Sequence, residues 1–137
     1  MKVHSHGGGT TDDMTHHIQT FVKRKPDMII VHSGTNDLTN NVDTCKHMDE
    51  VVRIVKQKLP ETKIAISSVT TRKDRKNIDV KIKKVNQDLK QIAETYKVEY
   101  ISNDNVNERG LSQGKLHLNK LGLNVLTRNF LSCMNQL

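Results

Sequence analysis

The run Met28-Ile29-Ile30-Val31 constrains this chain more than any other stretch. It is entered from Lys25-Pro26-Asp27 and left through His32-Ser33-Gly34-Thr35-Asn36-Asp37. An apolar run without alternation reads as a strand buried on both faces, the kind found inside a parallel sheet. The turn residues that follow would stand at the carboxyl end of that strand, where open α/β sheets gather ligands and catalytic groups. Gly34 to Asp37 also suit a plain strand-to-helix connection, since Asn and Asp are turn formers in their own right. The stretch alone leaves both readings open.

The rest of the chain alternates strand and helix signals. Lys2-Val3-His4-Ser5 reads as the end of a short strand running into Gly7-Gly8-Gly9, and Thr10 with Asp13 has capping-box spacing. Met14, Ile18, Phe21 and Val22 then share a helical face, Lys23 to Lys25 suit the negative end of a helix, and Pro26 stops it. A second helix opens at Val42-Asp43-Thr44, is apolar through Met48, Val51, Val52, Val55 and Leu59, and ends before Pro60. Lys63–Ser67 predicts another strand, and Ser67 to Thr71 its polar exit loop. Ile78, Ile82, Val85, Leu89, Ile92 and Tyr96 fall at the alternating spacing of one helical face. Val98 to Ile101 predicts a strand, and a last helix begins near Asn119 and packs through Leu121, Val125, Leu126, Phe130 and Met134. This order argues for a single domain over residues 1–137, a three-layer α/β/α fold whose parallel strands are joined by right-handed crossovers.

Composition narrows the function classes. The net charge of +7 raises nucleic acid as a partner, and much of the excess is local: nine basic against four acidic residues between Arg72 and Lys97. Lys76, Lys83, Lys90 and Lys97 recur every seven residues, so they form one stripe opposite the apolar face, read as a solvated surface first and a polyanion surface second. Aromatics are only 3%, and no RNA-binding aromatic pattern, zinc-finger spacing or helix-turn-helix signature accompanies the charge. No apolar run approaches the ~20 residues of a membrane span, and Cys45 and Cys133 are isolated, so an intracellular setting, cytoplasmic or nuclear, with no membrane partner is expected. His4, His6, His16 and His17 lack a paired Cys or acidic ligand and read as surface histidines rather than a metal site. Gly7-Gly8-Gly9 lacks the spacing of a dinucleotide fingerprint, so neither metal nor cofactor is expected.

At the predicted carboxyl edge the polar residues make one chemical set. Gly8 or Gly9 offers backbone N–H groups, Asn36 an amide NH₂ and His117 an imidazole. Two or three fixed donors can hold an oxyanion, and a histidine facing them can act as general base. Gly34-Thr35-Asn36-Asp37 after its strand, the upstream glycine turn, and Leu116-His117-Leu118-Asn119 before the last helix resemble the SGNH (GDSL-like) hydrolase family. Lys25 to Leu38 and Lys115 to Lys120 look, more particularly, like the SGNH-type domains found beside animal transposable-element proteins. The resemblance runs from Lys2 onward and implies an SGNH/flavodoxin-like fold and hydrolysis of small esters. It also implies Gly8 and Asn36 as oxyanion donors and His117 as catalytic base.

The departures are equally specific. The family's first block, a strand ending in Gly-Asp-Ser, would lie ahead of Gly8, and these residues do not contain it. The aspartate that the resemblance expects three residues before His117 is Gly114. Ser5 is the hydroxyl nearest the glycine turn, on the wrong strand for a nucleophile, and Asp37 either helps to place Asn36 or simply caps the loop. A chain lacking triad members is expected to be a weak or inactive esterase. The missing strand would be a central one, so the Met28 strand would show a hydrophobic edge. That leads to three expected outcomes: the Val3 strand moves over, two copies form a homodimer across the gap, or the sequence is part of a longer product. The alternative to the hydrolase is a non-catalytic binding module, associated with nucleic acid through the lysine stripe.

Overall fold

The computed structural model describes Ile18, residues 23–40 and residues 42–136. The strand expected near Val3, the glycine turn and the first helix other than Ile18 lie outside the described residues. Among the described residues three parallel strands form the sheet: β1 (Met28–His32), β2 (Lys63–Ser67) and β3 (Glu99–Ile101), in the order β1-β2-β3. The helices described over their length are α1 (Asp37–Asn40), α2 (Thr44–Lys58), α3 (Ile78–Tyr96) and α4 (Lys120–Met134), with a 3-10 turn at Glu108–Gly110.

Local sequence sets most of these bounds. Asp43 caps α2, its carboxylate accepting from the Lys46 N–H at 3.1 Å, and Lys56 and Lys58 occupy the last turn, where a helix favours cations. The α3 periodicity predicted from Ile78 to Tyr96 coincides with the helix itself. Lys97 ends α3 at φ 56°, a left-handed conformation more often given to glycine. The short α1 and the 3-10 turn carry no period long enough to be read from sequence.

Strand side chains alternate, so Ile29, Val31, Ile64 and Ile66 share one face of the sheet. They join Met48, Val51, Val52 and Val55 of α2 and Ile82, Leu89 and Ala93 of α3 in one core cluster. Burying an aliphatic side chain of this kind contributes about 1.5–3 kcal/mol, and this layer holds most of the fully buried ones. The opposite face carries Ile30, His32, Ala65 and Ser67, and α4 covers it, with Phe130 edge-on to His32 at 5.8 Å between ring centroids. The α/β/α layering is therefore as expected.

Several sequence expectations are corrected in detail. Met28, Ile29 and Ile30 are only partly buried, and β2, which is paired on both sides, is the strand with a sealed interior. Leu121 is 53% exposed rather than packed, because α4 seats through Gly122 and Leu126 instead. Arg72, one of the nine bases counted between Arg72 and Lys97, is 2% exposed. Among the described residues no helix is long and apolar enough to cross a membrane.

Candidate active site

The β1 exit turns on Gly34, whose φ of +125° is open to glycine and strained for other residues. A Cβ there would also stand 2.9 Å from Val69 Cγ2 and 3.2 Å from Thr44 Cγ2. The Asp37 N–H donates to the Gly34 carbonyl at 3.1 Å and closes the turn, placing Asn36 at its corner. Asp37 is buried and accepts from the Thr44 hydroxyl at 2.7 Å, which fastens the turn to the start of α2. The Asn36 carbonyl accepts from the Asn40 amide at 2.6 Å.

Arg72, on the loop after β2, holds this turn from the other side. Its Nη1 donates to the Thr35 carbonyl at 2.8 Å, while Nε and Nη2 make a two-pronged pair with Asp74, both at 2.6 Å. The hydrogen bonds from Arg72 hold the Asp74 carboxyl below its ordinary value. Fixing the Thr35 carbonyl fixes the plane of the Thr35–Asn36 peptide, hence the direction in which Asn36 leaves the turn.

The histidine loop is a tight hairpin. Leu111 and Leu118 form an antiparallel bridge, the Ser112 N–H donates to the His117 carbonyl at 2.8 Å, and Lys115 takes φ 59° near its tip. His117 itself is exposed. Asn119 anchors the loop: its Nδ2 donates to the carbonyls of Arg109 at 2.7 Å and Leu111 at 3.0 Å, and its Oδ1 caps α4 by accepting from the Gly122 N–H. The Lys73 N–H donates to the Lys115 carbonyl at 2.7 Å. Arg72 and Lys73, adjacent in sequence, thus clasp the Asn36 turn on one side and the His117 loop on the other. Gly114 has open space around it.

A second polar network lies under α4. His32 Nδ1 is 2.8 Å from Ser67 Oγ, which accepts from Asn103 Nδ2 at 2.7 Å. The serine oxygen has two acceptor lone pairs, so it serves His32 Nδ1 as donor or as acceptor according to the tautomer of the imidazole. Asn103 also donates to the Ser68 carbonyl, and its Oδ1 accepts from Asn129 of α4 at 3.0 Å. His32 as a residue is exposed, yet its ring lies against Phe130 of α4, and desolvation by burial lowers its pKa to about 4. It stays neutral near pH 7, a fixing group at the sheet end rather than a base.

The structure thus ties the turn of Asn36 and the loop of His117 to a common dipeptide. Gly8 and Ser5 lie outside the described residues, as do His4, His6, His16 and His17. Among the described residues no group of three potential metal ligands occurs. Sequence reasoning missed Arg72 and Asn103. The signal for Asn103 was legible: it follows β3 closely, as Ser67 and Ser68 end β2. Arg72 gave none, being one base among several.

The sequence model of the GDSL-like lipase/acylhydrolase family matches residues 2–124. A search of curated proteins returns no sequence match. Among solved structures, a GDSL-like lipase from Bacteroides thetaiotaomicron superposes with a TM-score of 0.82 at 14% identity, over 94% of this chain and 72% of that one. A catalytic mutant of an acetylxylan esterase from Geobacillus stearothermophilus gives 0.77 at 17% identity, over 91% and 67%. At these identities the likeness is one of fold.

Proposed function

The chain belongs to the GDSL-like lipase/acylhydrolase family, and on that premise we propose that its carboxyl edge is built for acyl-ester hydrolysis. Asn36 and the Gly8 backbone donate to the tetrahedral oxyanion; where a Gly-Asp-Ser block supplies the attacking serine, His117 takes its proton and returns it to the leaving alkoxide. Water then releases the acyl group by the same route. The observation that carries this reading is the Arg72–Lys73 clasp, which holds the two loops bearing Asn36 and His117 in register. Asp37 supports the turn through Thr44 rather than acting on substrate.

Two features limit the rate. Gly114 occupies the place of the orienting aspartate, and losing that partner in a triad costs about 10⁴-fold. Residues 1–137 contain no Gly-Asp-Ser, and Ser5 is a poor substitute, so turnover by this segment is weak. The test is hydrolysis of a short-chain aryl ester. Activity that falls to the uncatalysed rate in both Asn36→Ala and His117→Ala supports the proposal, and activity indifferent to both refutes it.

One observation favours a second reading, a non-catalytic nucleic-acid-binding module. Lys76, Lys83, Lys90 and Lys97 are all exposed, and none pairs with a described acid. Binding of an oligonucleotide that falls steeply with salt and is lost on neutralising Lys83, Lys90 and Lys97 would separate it from the first.

A further inference from the structure

The loops flanking Asn36 and His117 carry more positive charge than the fold and the proposed chemistry use. Beyond the buried Arg72, the loop after β2 holds Lys73, Arg75 and Lys76, and the segment from Glu108 to Lys120 holds Arg109, Lys115 and Lys120. The Lys73–Lys115 backbone hydrogen bond joins the two sets into one collar. Of the acids nearby, Asp37 is buried in the turn on the Thr44 hydroxyl, Asp74 is engaged by Arg72, Asp79 by Lys73 at 2.7 Å, and Glu108 by Lys115 at a loose 3.8 Å. The Arg75 side chain is 65% exposed and reaches Asp74 only at 3.9 Å. Lys76 and Lys120 are exposed and have no ion pair with a described residue. Lys120 also opposes the dipole of the helix it begins, so local stability does not account for its charge.

Resting on the ester-hydrolase reading, we infer that the substrate is a small anionic ester, with a carboxylate, phosphate or sulfate a few bonds from the scissile acyl carbon. Surplus cations around a site raise the local concentration of anions and fix one end of a charged substrate, leaving the ester to be oriented by Asn36 and His117. The far end of the stripe contributes little here. Lys76 precedes α3 and Lys97 follows it, and at 1.5 Å per residue Lys90 lies about 18 Å along the helix from its start, beyond the ~8–10 Å screening length at physiological salt.

Two measurements on the full chain test this. Inorganic phosphate is titrated while amide shifts are followed by NMR. The expected result is movement at Lys73, Arg75, Lys76, Lys115 and His117, with affinity falling roughly tenfold between low salt and about 0.5 M NaCl. The combined variant Arg75→Gln, Lys76→Gln, Lys120→Gln loses that binding while its thermal midpoint is unchanged. In parallel, an aryl succinate monoester is compared with the neutral aryl butyrate. The charged ester should show a KM roughly tenfold lower at equal kcat, a difference the combined variant abolishes. Phosphate shifts confined to residues 83–97, no shifts at all, or a KM ratio intact in the variant would overturn the inference. Phosphate bound at the collar with neither ester hydrolysed keeps the anion site and removes the hydrolase reading beneath it.

Discussion

Gly122→Ala pits helix propensity against tertiary contact, and the two disagree in sign. Propensity favours Ala over Gly inside a helix by about 1 kcal/mol. Against it, a Cβ on Gly122 would run into the Gly110 carbonyl oxygen and stand 3.0 Å from its carbon and 3.2 Å from its Cα. All three are backbone atoms, so no rotamer change relieves the clash. Helix α4 would have to lift from the 3-10 turn by about 1 Å to restore ordinary contact. That movement stretches the bonds by which Asn119 holds Arg109 and Leu111. Overpacking of this kind costs about 1–3 kcal/mol, and a weakened cap adds about 1 kcal/mol. The contact wins, and the expected net loss is roughly 2 kcal/mol, a fall of about 6–10 °C in Tm for a chain of this size. Urea unfolding measures it, with an unchanged m-value assigning the midpoint shift to stability. Gly114→Ala is the control: nothing lies within 4 Å of its added Cβ, and its stability should stay within about 0.5 kcal/mol. A Gly122→Ala chain at least as stable as the parent would refute the reasoning and leave α4 seated by propensity alone.

Three further outcomes are expected. Arg72→Met should cost about 3 kcal/mol, the low end for breaking a buried pair, because Asp74 keeps 18% side-chain exposure; Arg72→Met with Asp74→Leu should recover most of it in urea melts. Gly34→Ala must carry both a positive φ and a contact with Val69, so a loss of roughly 3 kcal/mol is expected, read as a lowered denaturation midpoint together with shifted Asn36 amide resonances. The pH dependence has two parts. The folded pKa of His32, about 4, lies below the ordinary histidine value of 6.5, so the unfolded chain binds the extra proton first. Its contribution is complete above pH 6.5 and is lost as pH falls towards 4. The depressed Asp74 carboxyl then withdraws its share below the ordinary aspartate value of 3.8. Melts from pH 7 to 3 check both, and His32→Gln should flatten the first limb only.

The sequence by itself determined the α/β alternation, the apolar face of α3 and the family. Each rests on local periodicity, capping and punctuation, which neighbouring residues impose without help from distant chain. The Met28–Val31 run set the position of the candidate site at a strand exit in the same way. Tertiary structure alone decided what holds that exit in place. Arg72 sits in a run of charges that reads as solvated, and it is buried only because the β1-α2-β2 crossover brings it against Thr35, 37 residues away. Gly122 reads as a weak point in a helix and turns out to be the contact that seats it on Gly110. His32, Ser67 and Asn103 become one hydrogen-bonded set only after the parallel register aligns three strand ends. Periodicity encodes which face a residue takes, whereas a hydrogen-bond partner depends on which strand ends meet, and only the folded crossovers fix that.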